Sequence, residues 1–476
     1  MTMMHLSEAA RAISAQLRGE DRAFEAVSTD TRALTPRALF VALKGERFDG
    51  HDFLLQAAKQ QAAGALVQDS GSRIQGASGT LPLLVVGDTR LALGQLAAYW
   101  RSKFSLPLVA LTGSNGKTTV KEMLASILRE TVMADSRVAD PESCVLATRG
   151  NLNNDIGMPL TLLELRPGHR YAVVEMGMNH AGEIRYLTRL TAPDVALVNN
   201  VGPAHIEFLG SLEAIARAKG EIFEGLGPEG TAVINADDRH APILRELAAA
   251  RNRIEFGLER EAAVTAAYQL RFLESEIVLR TPLGDAAAIL KAPGLHNVRN
   301  ALAASAAAVA LKVPATTIAA GLSRFAGVKG RLQYKAAVNA ATLIDDTYNA
   351  NPESARAAIA VLGRAPGEKL LVLGDMGELG ADAAVLHAEI GSTARALGID
   401  CLYTLGELSA HAARAFGSGA RHFDRLEDLL AEVENRLAPG VSVLVKGSRF
   451  MRMERIVKAF ALDGEATAEK GEGARP

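Results

Sequence analysis

The chain has 476 residues, 48% hydrophobic and 22% charged, and its 52 basic and 54 acidic side chains give a formal charge of −2. That length exceeds one ordinary core and points to two to four globular domains, and the near-neutral balance offers no basic field for nucleic acid. The only cysteines, Cys144 and Cys401, support neither a disulfide framework nor a zinc knuckle and fit a reducing compartment.

The first residues, MTMMHLSEAARAI, lack the sustained apolar core of a signal peptide. No run of about 18 apolar residues exists for a spanning helix. The expectation is a cytoplasmic protein with no membrane or nucleic-acid partner, and a monomer. Short apolar runs then alternate with helical patterns: 81-LPLLVVGD-88, 107-PLVALTG-113, 171-YAVVEMG-177, 195-VALVNNVG-202, 231-TAVINADD-238, 369-KLLVLGDMG-377 and 441-VSVLVKGS-448. Each is strand-length and ends in Gly, Asp, Asn or Ser before a helical stretch, the pattern of βα units in an α/β fold with largely parallel, doubly covered sheets. Breaks at Trp100–Pro107 and Leu311–Ala315 divide the chain into predicted domains at 1–100, 101–313 and 314–462. The last residues, 463–476, have little to bury and read as a disordered tail.

One stretch carries specific chemistry, 108-LVALTGSNGKTTVKEML-124. After Gly116-Lys117-Thr118-Thr119 the apolar residues Val120, Met123, Leu124, Ile127 and Leu128 fall on one helical face. Strand, glycine loop and helix N-terminus come in the order an anion site needs, with amides and helix dipole aimed at a phosphate. Gly113, Ser114, Asn115 and Gly116 form the loop. Lys117 reaches the terminal phosphates, and the hydroxyls of Thr118 and Thr119 follow, Thr118 suited to magnesium. The common loop pattern would put a glycine at Leu111, whereas here it is Gly113. Beyond the loop, Glu175 closes the strand 171-YAVVE-175, where open α/β sheets place ligands. Alone, such a glutamate is more often a cap or turn residue, a lone His205 a surface residue, and Lys219 in 211-SLEAIARAKGEIFEGL-226 a solvated helix residue.

The shortened Thr-Gly-x-x-Gly-Lys-Thr-Thr loop resembles that of the Mur ligases, ATP-dependent amide-forming enzymes of cell-wall precursor synthesis. The resemblance runs in order from about residue 28 to 450. It implies three α/β domains: a UDP-sugar-binding N-terminal domain, a central P-loop ATPase-type domain with a parallel or mixed sheet, and a C-terminal Rossmann-like domain. It implies ATP and two magnesium ions, held by Thr118, Glu175, His205 and an N-carboxylated Lys219. The segment 293-PGLHNVRN-300 resembles the family's His-Asn-x-x-Asn turn, with Asn297 at the adenine. Arg331 and Asp346 are implied at ribose or phosphate. Tyr348, Asn349 and Asn351 of 345-DDTYNANPES-354, with Lys446 of 445-VKGSR-449, are implied near the reacting groups. Ser28, Thr29, Arg32 and Lys44, in 28-STDTRALTPRALFVALKGERFDGHDF-53, are implied at a UDP diphosphate, and Asn153 and Asn154 at the muramoyl substrate.

The set 149-RGNLNNDIG-157, 347-TYNANPES-354 and 374-GDMGELG-380 is most similar to the branch that joins D-alanyl-D-alanine to a UDP-N-acetylmuramoyl-tripeptide. The branch adding a diamino acid carries Asp-Asn-Pro-Arg, but here Asn351-Pro352 is followed by Glu353. Folate polyglutamate ligases have glycine after Gly-Lys, where this chain has Thr118. A guanine switch would need Asn-Lys-x-Asp, and no Asn-Lys pair occurs.

Overall fold

The computed structural model describes residues 2–46, 48–69, 81–133, 140–203 and 209–462. His205, Arg47, residues 134–139 of the long 134–144 segment and the 463–476 tail lie outside them. All seven predicted runs form strands, and the chain is α/β with three principal sheets.

The central sheet is parallel throughout, in the order 252–256, 231–235, 195–198, 108–112, 171–175, 145–147. Leu108-Val-Ala-Leu-Thr112 shows why both faces are covered. Leu108 and Ala110 enter one core while Val109 and Leu111 enter the other, as alternate side chains of a strand must. The helix Lys117–Met133 buries Val120, Met123, Leu124, Ile127 and Leu128 completely against the second core. Each such large side chain contributes about 1.5–3 kcal/mol of burial. The Ala-rich helix Leu295–Ala310 packs in the same core, its small side chains allowing close approach to the sheet.

The N-terminal sheet runs 16–18, 83–86, 64–68, 38–41, 26–28, antiparallel only at its first pair. The C-terminal sheet runs 333–336, 342–346, 441–446, 368–374, 401–405, 420–423, and again only the first pair is antiparallel. A three-stranded antiparallel meander at 265–270, 275–281 and 284–290 has no counterpart in the sequence reading.

The two expected breaks are packed segments. Trp100 ends the helix Thr89–Arg101, and its indole donates to the Leu165 carbonyl at 3.1 Å. The same core holds Phe24 and Leu66 of the N-terminal part and Val174 and Val198 of the central sheet. After Leu311–Ala315, the helix Ala315–Arg324 puts Ile318 and Leu322 into the central core, and Ser126 donates to Gly321 O at 2.7 Å. The helix that follows the expected break at 313 thus buries its apolar face against the central core, and the next sheet begins at 333.

Candidate functional site

The glycine loop at 113–116 sits at the C-terminal edge of the central sheet. Glu175 pairs in register with Leu111 on one side of the loop strand, and Val198 with Thr112 on the other. Leu111, where the common pattern wants glycine, is a fully buried strand residue, so the loop begins two residues later. Gly116 has φ +80°, and a Cβ there would lie 2.3 Å from Asn300 Oδ1. Only glycine meets both demands.

Around that loop the predicted residues converge. The Thr118 hydroxyl donates to Glu175 Oε2 at 2.8 Å, and Asn153 Nδ2 donates to Glu175 Oε1 at 2.8 Å. Lys117 folds back to donate to Gly113 O at 2.7 Å. Burial holds its ammonium below the usual lysine range, Glu175 opposes that shift and Arg331 adds to it. Lys219, in the helix Leu212–Gly220, is 2% exposed. Its pKa lies well below the ordinary value, first through burial and then through the nearby charge of Lys117. The sequence alternative of a solvated lysine does not survive that burial.

The C-terminal part reaches the same loop. Arg331 donates to Thr118 Oγ1 at 3.0 Å and lies 4.3 Å over the Tyr348 ring. Asn351 Nδ2 donates to Asn115 Oδ1 at 2.8 Å, and Asn115 Nδ2 donates to Glu353 Oε2 at 2.7 Å. Asn351 also caps the helix Pro352–Leu362 by accepting from Ser354 N, so one side chain starts the helix and touches the loop. Behind it, buried Lys446 donates to Asp346 Oδ2 at 2.6 Å and to Asn349 O at 2.9 Å. Asp346 Oδ1 accepts from Leu332 N at 3.2 Å. The carboxylate implied at ribose or phosphate thus anchors the backbone next to Arg331. Burial raises the Asp346 pKa and Lys446 opposes the rise. His296 is pushed down to about 4, by burial first and then by Lys446 and Arg299, so it is neutral at pH 7.

The remaining expected residues make local contacts. Asn297 has both ends of its amide engaged, Nδ2 donating to Pro293 O at 2.9 Å and Oδ1 accepting from Asn300 Nδ2 at 3.1 Å. Asn154, for which the sequence suggested no helical role, accepts from Gly157 N at 2.8 Å at the start of the helix Gly157–Leu163. Ser28 and Arg32 are engaged locally: Ser28 with the Asp30 backbone, and exposed Arg32 in an ion pair with Asp30 at 2.7 Å. Thr29 is half-buried and Lys44 exposed. No hydrogen bond among the described residues joins these four to the loop.

Sequence reasoning missed the loop's supports. Asn200 Oδ1 accepts from Asn115 N at 2.8 Å, Asn199 Nδ2 donates to Asn115 O at 2.9 Å, and Thr148 Oγ1 accepts from Glu175 N at 2.9 Å. The Asn-Asn pair ending 195-VALVNN-200 was the available signal, since two amides at a strand's C-terminal edge have no apolar core to enter.

Three family models match the chain: Mur ligase family, catalytic domain, at residues 23–101; Mur ligase middle domain at 111–308; and Mur ligase, glutamate ligase domain, at 330–449. The UDP-N-acetylmuramoyl-tripeptide–D-alanyl-D-alanine ligase of Escherichia coli K12 is 42% identical over 472 residues, covering 98% of this chain and 100% of the relative. Its Bacillus subtilis counterpart is 34% identical, covering 96% and 97%. A crystal structure of MurF from Acinetobacter baumannii superposes with TM-score 0.86 at 37% identity, covering 96% and 98%. The MurF ligase of Thermotoga maritima in complex with ADP gives 0.78 at 28% identity, covering 91% and 96%.

Proposed function

The chain belongs to the Mur ligase family, and on that premise we propose that it joins D-alanyl-D-alanine to a UDP-N-acetylmuramoyl-tripeptide using ATP. It is an ATP-dependent ligase that forms a C–N bond, and its product is the UDP-muramoyl-pentapeptide of peptidoglycan synthesis. The observation that supports this best is a surplus of partly buried positive charge at the loop. Lys117 meets only carbonyls and Arg331 meets a hydroxyl. Glu175 is the one carboxylate hydrogen-bonded to Thr118. Such a surplus is costly unless an anion joins it, and a nucleotide polyphosphate is the anion this loop geometry accepts.

A peptide carboxylate is a poor electrophile at neutral pH. Its oxygen attacks the γ-phosphorus of ATP, the bond from that phosphorus to the bridging oxygen breaks, and ADP leaves. The dipeptide amine then attacks the acyl carbon and loses a proton to water. The carbon–oxygen bond of the tetrahedral intermediate breaks to release phosphate. Lys117, turning from Gly113 O toward the γ-phosphoryl group, stabilises its transferring charge, and Arg331 adds a second cation. The contacts of Arg331, Asn351 and Glu353 with the loop support closure over the reacting groups, which keeps water from the acyl phosphate.

Magnesium fits the donors at hand. Thr118 and Glu175 offer oxygen, and this ion takes one or two carboxylates together with substrate phosphates and water. Among the described residues no group of three or more His, Cys, Asp or Glu side chains gathers for a metal, so phosphates would complete the shell. The ion supplies charge neutralisation when bound. For a second ion we assign His205 and an N-carboxylated Lys219. Ser28, Thr29, Arg32 and Lys44 are assigned to the UDP diphosphate, with Arg32 exchanging Asp30 for phosphate, and Asn153 and Asn154 to the muramoyl group. Tyr348, Asn349, Asn351 and Lys446 are assigned to the acceptor end. Two nucleotide-linked substrates fit a cytoplasmic enzyme, acting in cell-wall growth and thereby in cell shape and division.

The purified chain with ATP, UDP-muramoyl-tripeptide and D-alanyl-D-alanine should release one ADP per pentapeptide formed. ADP release that ignores the dipeptide, or ligation of free amino acids in its place, would sink the reading.

Arg331→Ala tests closure. It removes the guanidinium bond to Thr118 and the stack on Tyr348, and kcat/KM for ATP should fall about ten- to hundredfold, the usual weight of a charged hydrogen bond. Small-angle scattering with both substrates should show less compaction than wild type. Equal compaction with normal kinetics contradicts the idea.

A further inference from the structure

A cavity of about 140 Å³ opens beside the phosphate loop, lined by Thr119, Asn297, Phe325, Arg331, Gln333 and Tyr334 among others. It is smaller than whole-ligand pockets of about 300–1,000 Å³ and is sized for a single ring system. Thr119 belongs to the loop helix, so a nucleotide with its phosphates on the loop has its base within reach of this space. Phe325 and Tyr334 supply aromatic surface, and Tyr334 is fixed by donating its hydroxyl to Phe272 O at 2.8 Å.

The polar groups in the cavity differ in what they have left to offer. The Asn297 amide is engaged at both ends by Pro293 and Asn300. Gln333, on the strand Gln333–Ala336 and paired in register with Asp345, is not. Its Oε1 is enclosed and accepts no hydrogen bond, and its side chain donates none among the described residues. A buried amide oxygen without a donor is disfavoured, so this group gains most from a ligand that brings one.

Resting on the assignment of ATP above, we propose that Gln333 is the base-selecting residue of this site, its carboxamide pairing with the exocyclic amine and an adjacent ring nitrogen of adenine. A carboxamide presents an acceptor beside a donor, and adenine presents a donor beside an acceptor, so the two match in a bidentate pair. Guanine offers O6 and N7, two acceptors, along the corresponding edge and leaves the amide oxygen without a partner.

The test compares binding of ADP with that of purine riboside diphosphate, which differs only in lacking the 6-amino group. Titration calorimetry without acceptor substrates keeps the readout apart from ligation. The native chain should prefer ADP about ten- to hundredfold, the weight of one good bidentate base contact. In Gln333→Leu and in Gln333→Met, both able to fill the same space, that ratio should collapse toward one through loss of ADP affinity alone. A ratio unchanged in the variants, including one where both ligands weaken equally, overturns the role of Gln333 while leaving the ligase reading intact. Absence of preference in the native chain overturns it too. Failure of the native chain to bind either diphosphate overturns both readings.

Discussion

Replacing Lys117 by alanine should lower ligation by about three orders of magnitude or more while UDP-substrate binding stays close to normal. The lysine is half-buried, and its hydrogen-bond partners carry no charge: it donates to Gly113 O at 2.7 Å and more distantly to Ser114 O at 3.4 Å. Those two carbonyls hold the ammonium in place without needing its charge, so a phosphoryl oxygen that does need it can displace them. Removing a charge aimed at a transferring group costs about 10²–10³ in rate for a single donor, and more where the remaining cations cannot move in. Arg331 cannot replace it, because its guanidinium is fixed on Thr118 and over Tyr348. The backbone should be unaffected, since Gly116 and the Asn199–Asn200 supports set the loop. The assay is ADP release with saturating substrates, beside calorimetric binding of the UDP-tripeptide. Near-normal turnover would mean that the loop holds something other than the reacting nucleotide.

What the sequence made legible, and what it hid, follows from how local each signal is. The loop helix was readable because Val120, Met123, Leu124, Ile127 and Leu128 repeat within eleven positions of Lys117, and strands buried on both faces read as apolar runs. The meander at 265–290 was not. Val278 and Ile289 sit on its exposed face, which blurs the alternation that Ser275, Ile277 and Leu279 make on the buried one. Contacts across the site were out of reach for a different reason. Asn115 and Glu353 stand 238 positions apart, and nothing within 352-PESAR-356 marks Glu353 as more than an acidic residue in a first helical turn. Family resemblance named Asn297 and Arg32, but whether an amide or a guanidinium is already engaged is decided by neighbours. Here Pro293, Asn300 and Asp30 decide it.

The second large effect falls on Lys219. Lysine is seldom buried without a partner, because an ammonium in low dielectric loses its hydration. Yet Lys219 is 2% exposed, and burial, reinforced by the charge of Lys117, drives its pKa well below the usual lysine value. The helix that carries it gives a reason for the position. Ser211 caps its start by accepting from Ala214 N at 3.1 Å, and Ile215, Ala216 and Ala218 are buried beside the lysine. Burial disfavours the protonated form, and the unprotonated amine is a nucleophile. Adding to carbon dioxide, it forms a nitrogen–carbon bond, releases one proton and becomes a carbamate. The carbamate places an anionic pair of oxygens where the amine stood, the donors a hard divalent ion takes beside phosphates. Lys219→Ala should therefore be about 10²-fold or more slower, the scale of losing one charged group from a phosphoryl-transfer site. Its melting temperature should hold or rise, since the change removes a buried amine. Acetate or a similar small carboxylic acid, filling the space left by the side chain, should restore part of the rate. A merely structural lysine would show neither the intact fold nor the rescue. An Ala variant with full activity, together with a density map showing Lys219 unmodified, would rule the carbamate out.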